Sequence, residues 1–455
     1  MSPDQKQFMA TNDAPGEVAI RTRRQIAGRM LPFVFLLYVV AYIDRVNVSF
    51  ASLRMNAELG FSDRIYGLGI ACFYVSYILL EIPGAIVAER WSTRKWLGRI
   101  MISWGLMTSL TSFVSTPGQF YVARFLLGAA EASFLPTIMV YLTRWFTVDD
   151  RSRAIACLFA AIPVASLIGA PLAGSLLAVD WLGWAGWRWL FVIEGIPAVV
   201  LGVTTLAYLT DRPAEARWLA ASERLWIGQK LAAERDAKRR LRQHTILEAF
   251  RDRRVVLLAS AYFLVISGAL ANIYWLPTIV KRISGLAPGP VASLMMIPGA
   301  IGVIGTLLNG WHSDKRDERR WHAAVPLLVS GILYGCGALL RQDPVLSIAA
   351  LLLGAGTLYC FYPPFWSLPT LILSDTAAAA SFALIVSVAQ IGGIAGPYLI
   401  GFLNDRTHSL AAGLGCIAGV YFLGAGMILA LRACEAPSEP AQVQPGAVRA
   451  CPRQQ

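Results

Sequence analysis

The sequence predicts an all-α membrane protein with twelve transmembrane helices arranged as two pseudo-symmetric six-helix bundles. Three observations carry this. First, 56% of the 455 residues are hydrophobic and only 15% are charged, a balance that a water-soluble globule of this size does not have. Second, apolar stretches recur along nearly the whole chain, each long enough to cross about 30 Å of hydrocarbon at about 1.5 Å per residue. Third, glycine and proline punctuation repeats at a fixed offset between the two halves.

In order, the expected spans are 30–53, 67–88, 97–113, 120–141, 154–177 and 189–209, then 255–280, 291–311, 323–340, 345–368, 378–403 and 410–431. Residues 1–29 read as a polar N-terminal tail carrying Arg21, Arg23, Arg24 and Arg29, without the apolar core and small-residue site of a cleavable signal. Residues 211–254, with "AAERDAKRRLRQ", read as a partly helical cytosolic linker between bundles 30–210 and 255–431. A cytosolic tail is expected over 432–455. Gly84 and Gly310 open the basic loops "GAIVAERWSTRKW" and "GWHSDKRDERRW", while Pro171 and Pro397 stand in "GAPLAG" and "GPYLIG". Both pairs are 226 residues apart, as a duplicated six-helix unit requires.

The net charge of +12 does not indicate nucleic acid, because the 40 Lys and Arg residues follow loop parity. The tails and even-numbered loops hold 31, counting Arg99 at the rim of the third span; the odd-numbered loops hold 7; Arg45 and Arg124 lie deep inside spans. By the positive-inside rule both termini are cytoplasmic and the protein is multi-pass in the inner membrane. The seven cysteines are scattered without a C-x-x-C pair and read as small apolar residues.

Charge within a span costs about 2.5–3.5 kcal/mol and faces a bundle interior or water. Asp44 lies roughly 21 Å along the first span, and Arg124 and Glu131 roughly 6 and 16 Å below the same outer boundary. One polar cluster of Asp44, Arg45, Arg124 and Glu131 is therefore expected, with Glu81 and Glu194 nearer the ends of their spans. The equivalent positions of the second half are Leu270, Ala271, Ala350 and Thr357, so a requirement of the fold alone does not account for the charges. Arginine stays charged and suits a carboxylate substrate, whereas carboxylates exchange protons. Arg124 and Arg45 are the candidate anion-binding residues, and Asp44 and Glu131 the candidate proton-coupling ones. Tyr74, Tyr77, Trp275, Tyr362 and Trp366 are candidate cavity aromatics, and Ser387 and Gln390 candidate hydrogen-bonding groups. The aromatic run "WLGWAGWRWLF" fits an interfacial belt.

The segments "YIDRVNVSFA" (42–51), "FYVSYILLEIPGA" (73–85), "RFLLGAAEASFLP" (124–136), "YLTRWF" (141–146) and "GWRWLFVIEGIPAVVLG" (186–202) resemble the anion:cation symporter family of the major facilitator superfamily. In the second half "WLPTIV" (275–280), "FWSLPTLILSDTAAA" (365–379) and "VAQIGGIAGPYLIGFLND" (388–405) are similar to it as well. The resemblance implies the major facilitator fold and proton-coupled uptake of an organic anion such as phthalate, tartrate, a sugar acid or hydroxyphenylacetate. It implies proton coupling by Asp44 and Glu131, a substrate carboxylate on Arg124, and a cavity including Arg45 and Tyr77. Ser92 departs from the usual glycine of the loop motif, and Gln390 from an asparagine. The fifth span lacks a glutamine found in some sugar-acid carriers, which favours a less hydroxylated or aromatic acid.

The charged loop residues Glu89, Arg90, Arg94, Asp314 and Arg316 are expected to gate by pairing across the halves in one state and separating in the other. The implied partners are a small organic anion, the proton and the lipid bilayer; a monomer suffices. No cofactor is called for beyond the proton gradient as energy source. An exporter working by proton antiport and a membrane receptor are the rival readings. An intramembrane enzyme is disfavoured, because H-E-x-x-H and G-x-S-x-G are absent and the four histidines fall in loops or at span ends.

Overall fold

The computed structural model describes residues 15–240, 252–340, 342–372 and 375–431. The expected tail 432–455 and linker residues 241–251 lie outside them. Twelve long helical segments follow in order. The first half contains α1 (Pro15–Leu59), α2 (Asp63–Arg90), α3 (Thr93–Thr111), α4 (Pro117–Trp145), α5 (Val148–Leu177) and α6 (Gly186–Tyr208). The second contains α7 (Arg253–Ser284), α8 (Pro288–Arg316), α9 (Arg320–Leu339), α10 (Pro344–Leu358, continuing through a 3-10 turn into Tyr362–Ile372), α11 (Asp375–Gln390 with Gly392–Thr407) and α12 (Leu410–Ala430). Among the described residues no strand forms beyond the isolated bridge Trp181–Trp184. Among the described residues eleven helices are long and apolar enough by themselves to cross a membrane. The twelfth, α3, has 19 residues and carries Arg94, Lys95 and Arg99 at its start.

Two boundaries differ from expectation. The N-terminal tail was placed at 1–29, but α1 already begins at Pro15. Polar residues extend the helix there because Arg21 pairs with Glu223 of the linker helix Ala221–Arg240 at 2.8 Å and Arg23 with Asp150 of α5 at 2.5 Å. The fourth span, read as one run, is two helices, Pro117–Glu131 and Phe134–Trp145, broken at Ser133 with φ 69°. Pro136 explains the break: it donates no amide hydrogen, and its ring clashes with the carbonyl four residues earlier. Glu131 therefore ends a helix in the interior of the bundle.

The halves are latched at the end of the bundle bearing the odd-numbered loops. Ser52 and Thr278 hydroxyls are 3.0 Å apart, Tyr66 donates to the Tyr274 carbonyl at 3.0 Å, and the Arg64 amide donates to Asp405 at 3.0 Å. Gly67 allows this closeness, since a Cβ there would lie 2.8 Å from the Pro397 carbonyl oxygen of α11. At the even-loop end the charged residues bond within their own half. Arg144 reaches the Glu89 carbonyl at 2.6 Å, and Arg319 pairs with Asp314 at 2.5 Å.

Candidate substrate and proton site

The buried charges of the first half differ in their hydrogen-bond partners. Adjacent helical residues point about 100° apart, and Asp44 and Arg45 accordingly bond to different helices. Arg45 points to α4, where its Nε donates to Glu131 Oε1 at 2.8 Å and an Nη makes a second contact with the same oxygen. Its guanidinium also lies 5.4 Å from the Tyr77 ring centroid. Asp44 points instead to α3, where Thr108 donates to its Oδ2 at 2.7 Å and Trp104 Nε1 donates to the same oxygen. Asn47, one turn along α1, donates to Oδ1 at 2.6 Å. The four residues expected from depth as one cluster therefore do not share one hydrogen-bond network, because depth fixes position along a helix and not azimuth.

Arg124 is in a third situation. It is 1% exposed, lies over the Phe73 ring at 4.7 Å, and its Nε and one Nη have no hydrogen-bond partner. Gly128, one turn on, brings α4 against α2: a Cβ there would meet the Phe73 carbonyl oxygen at 2.2 Å. A buried guanidinium short of acceptors is costly unless an anion supplies them.

The remaining predicted residues divide. Tyr74 and Tyr77 are buried on α2, with the Tyr74 hydroxyl 3.3 Å from that of Tyr274 across the halves. Gln390 is half-buried on α11. Trp366 packs among Tyr262, Phe365 and Phe382 within the second half, and Ser387 is exposed. Neither has a described contact with Arg124 or Arg45. Of the loop residues, Glu89, Arg90, Asp314 and Arg316 are exposed. Arg94 is drawn to Asp211, which accepts its amide at 2.9 Å and the hydroxyls of Ser92 and Thr93 at 2.6 and 3.0 Å. Burial disfavours the Asp211 charge, but these donors outweigh it and hold the carboxyl below the usual carboxylate range.

Sequence reasoning missed Asn47, Trp104 and Thr108. Asn47 was legible as the i+3 neighbour of Asp44; Trp104 and Thr108 look like ordinary residues of an apolar helix. Glu194, expected near the end of its span, is buried at 4% exposure, and its Oε2 has no hydrogen-bond partner among the described residues. Tyr42 and Tyr359, also missed, line a cavity between the halves together with Ser49, Asn272 and Pro298.

The model of the Major Facilitator Superfamily matches residues 34–397. A protein of Agrobacterium vitis named "Putative tartrate transporter" is 40% identical over 91% of this chain and 95% of its own length. A "Quinolone resistance transporter" of Acinetobacter baumannii is 36% identical over 90% of this chain and 93% of its own. Among solved structures, an inward-facing, occupied bacterial homolog of the human lysosomal transporter Spinster superimposes with a TM-score of 0.73 at 17% identity, over 88% of this chain and 95% of that one. The twelve helices in two halves, the charged interior of the first half and the match over most of the chain agree: this protein is a membrane transporter, and it belongs to the major facilitator superfamily.

Proposed function

We propose that the protein imports a small carboxylate-bearing organic anion together with protons, by alternating access across the cytoplasmic membrane. The observation that carries this reading is Arg124, a fully buried guanidinium with two nitrogens lacking acceptors. The nearby Arg45–Glu131 pair supplies a second cation whose partner can be neutralised. A proton on Glu131 cancels its attraction for Arg45 and frees that guanidinium for the substrate; loss of the proton restores the pair and expels the anion. The aromatic wall of Phe73, Tyr74 and Tyr77 suits an aromatic or weakly hydroxylated acid. The tartrate-named relative supports the carboxylate class.

Charge asymmetry supports a cytosolic even-loop end, which makes the arrangement latched at the odd loops an inward-open one. Glu89, Arg90, Arg94, Asp314 and Arg316 are then the residues that meet across the halves when the carrier faces outward. Asp44, saturated with donors, is the second proton acceptor. The drug-exporter reading is favoured only by the quinolone-resistance relative; two arginines in the first half do not suit a cationic drug.

Uptake into proteoliposomes under an imposed pH gradient, screened over aromatic acids, tartrate-like diacids and sugar acids, tests the proposal. Accumulation of a carboxylate with the proton flux supports it. Extrusion against the proton flux, or transport of cations alone, overturns it.

A further inference from the structure

Ser133 of α4 holds a backbone conformation that a serine seldom takes. Its φ of 69° and ψ of 8° lie in the left-handed region, where the Cβ of an L-residue crowds the following carbonyl oxygen. Pro136 breaks the helix without selecting this conformation: it removes one amide hydrogen and pushes on the Ala132 carbonyl, which still leaves Ser133 its right-handed options. Backbone strain of this kind persists where the surroundings impose it, and it gathers at functional sites. Ser133 stands two residues from Glu131, the carboxyl to which the transport scheme above gives a proton.

Two neighbouring helices impose it. Trp96 of α3 donates its indole Nε1–H to Ser133 Oγ at 3.1 Å. Gly84 of α2 comes up against the same atom, since a Cβ at Gly84 would overlap Ser133 Oγ. Arg99 braces the indole: its guanidinium lies 3.9 Å from the Trp96 ring centroid, and its Nη1 reaches the Ala130 carbonyl at 3.5 Å. Beyond the break, the Thr137 hydroxyl and amide donate to the Ser133 carbonyl at 2.7 and 2.9 Å and start the next helix. Ser133 is fully buried, so bulk water does not replace the indole as its donor. The break is thus a joint, with Glu131 at the end of one helix and Trp96 bonded to the residue that turns the chain.

We propose that Trp96 is a positioning residue for Glu131, holding through Ser133 Oγ the left-handed joint that ends the Pro117–Glu131 helix and turns its last carboxyl to Arg45. The inference rests on the coupling role given to Glu131, but the joint is measurable without transport. The ionisable groups acting on Glu131 are Tyr38, Asp44 and Arg45 of α1, Tyr74 and Tyr77 of α2 and Tyr274 of α7. Trp96→Phe alters none of them, because it deletes one N–H and no charge.

Spin labels at Val122→Cys and Thr143→Cys, exposed positions on the two parts of α4, read the joint in the reconstituted full chain with its native cysteines replaced. Trp96→Phe and Ser133→Ala are each expected to shift or broaden the label distance. A wild-type distribution in both overturns the proposal, and where Trp96→Phe fails to fold Ser133→Ala decides alone. In gradient-driven uptake both variants are expected to move the midpoint of the pH profile in the same direction by at least about 0.5 unit. The double variant is expected to move it no further than the larger single shift, as two partners of one bond require. Profiles coincident with wild type, or shifts that add, overturn the positioning role. If Glu131→Gln leaves gradient-driven accumulation intact, the coupling role of Glu131 falls while the label distances still judge the joint.

Discussion

Asp63 in the first turn of α2 and Arg282 in the last turn of α7 form a two-pronged ion pair across the halves, with one Nη 2.6 Å from Oδ2. Asp63 is buried, and the pair lies next to the Arg64–Asp405 contact, so it is a lock on the odd-loop end and not a solvated surface pair. Asp63→Asn or Arg282→Gln is expected to weaken the latched state by about 1–2 kcal/mol, shifting the population toward the opposite opening by about five- to thirtyfold. Spin-label distances across the odd-loop end read this directly; an unchanged distribution in both variants refutes the lock.

Among the described residues Arg124 forms no ion pair with a carboxylate within hydrogen-bond reach, so its removal relieves burial cost while deleting the proposed anchor of the anion. Arg124→Ala is expected to lower substrate affinity by about 2–5 kcal/mol, thirtyfold or more, with little loss of thermal stability. Arg124→Lys is expected to recover only part, since a lysine offers no fork of donors. Binding measured by calorimetry or scintillation proximity checks this, and wild-type affinity in the lysine variant removes Arg124 from the site.

Glu131 touches Arg45 through a single oxygen, Oε1. Glu131→Gln leaves Arg45 permanently free of a charged partner, so exchange of external for internal substrate is expected to continue. Accumulation driven by a pH gradient is expected to fall at least about tenfold, the effect of losing about 1.4 kcal/mol of coupling. Undiminished accumulation in this variant refutes proton coupling at Glu131.

Asp211 caps the start of α3 through three donors that hold its carboxyl below the usual range. A carboxyl depressed in the folded state stabilises fully above its unfolded value, about 3.9, and that contribution fades as pH falls through the lower folded value. Asp211→Asn is therefore expected to cost about 1.5–3 kcal/mol at neutral pH. The gap to wild type should narrow only below about pH 4. Melting curves at pH 7 and in strong acid check the sign; a gap that widens on acidification contradicts it.

Much of the fold was legible because a membrane span is a property of local composition. Twenty apolar residues declare a helix wherever they stand. The repeat of Gly84 with Gly310 and of Pro171 with Pro397 disclosed the duplication. The identities of Asp44, Arg45, Arg124 and Glu131 as unusual residues followed from the cost of burying charge, which needs no coordinates.

The sequence alone thus determined the class of protein and its succession of apolar spans, and it singled out a short set of charges inside them. The tertiary structure decided which of them meet. It sent Arg45 to Glu131 and Asp44 to Trp104 and Thr108, because neighbours on a helix diverge by about 100°. It buried Glu194 through the packing of α6, left Trp366 and Ser387 without a described contact to the arginines, and broke α4 beside Glu131. Rotation about each helix axis is set by packing between segments distant in the chain, and no local pattern records it.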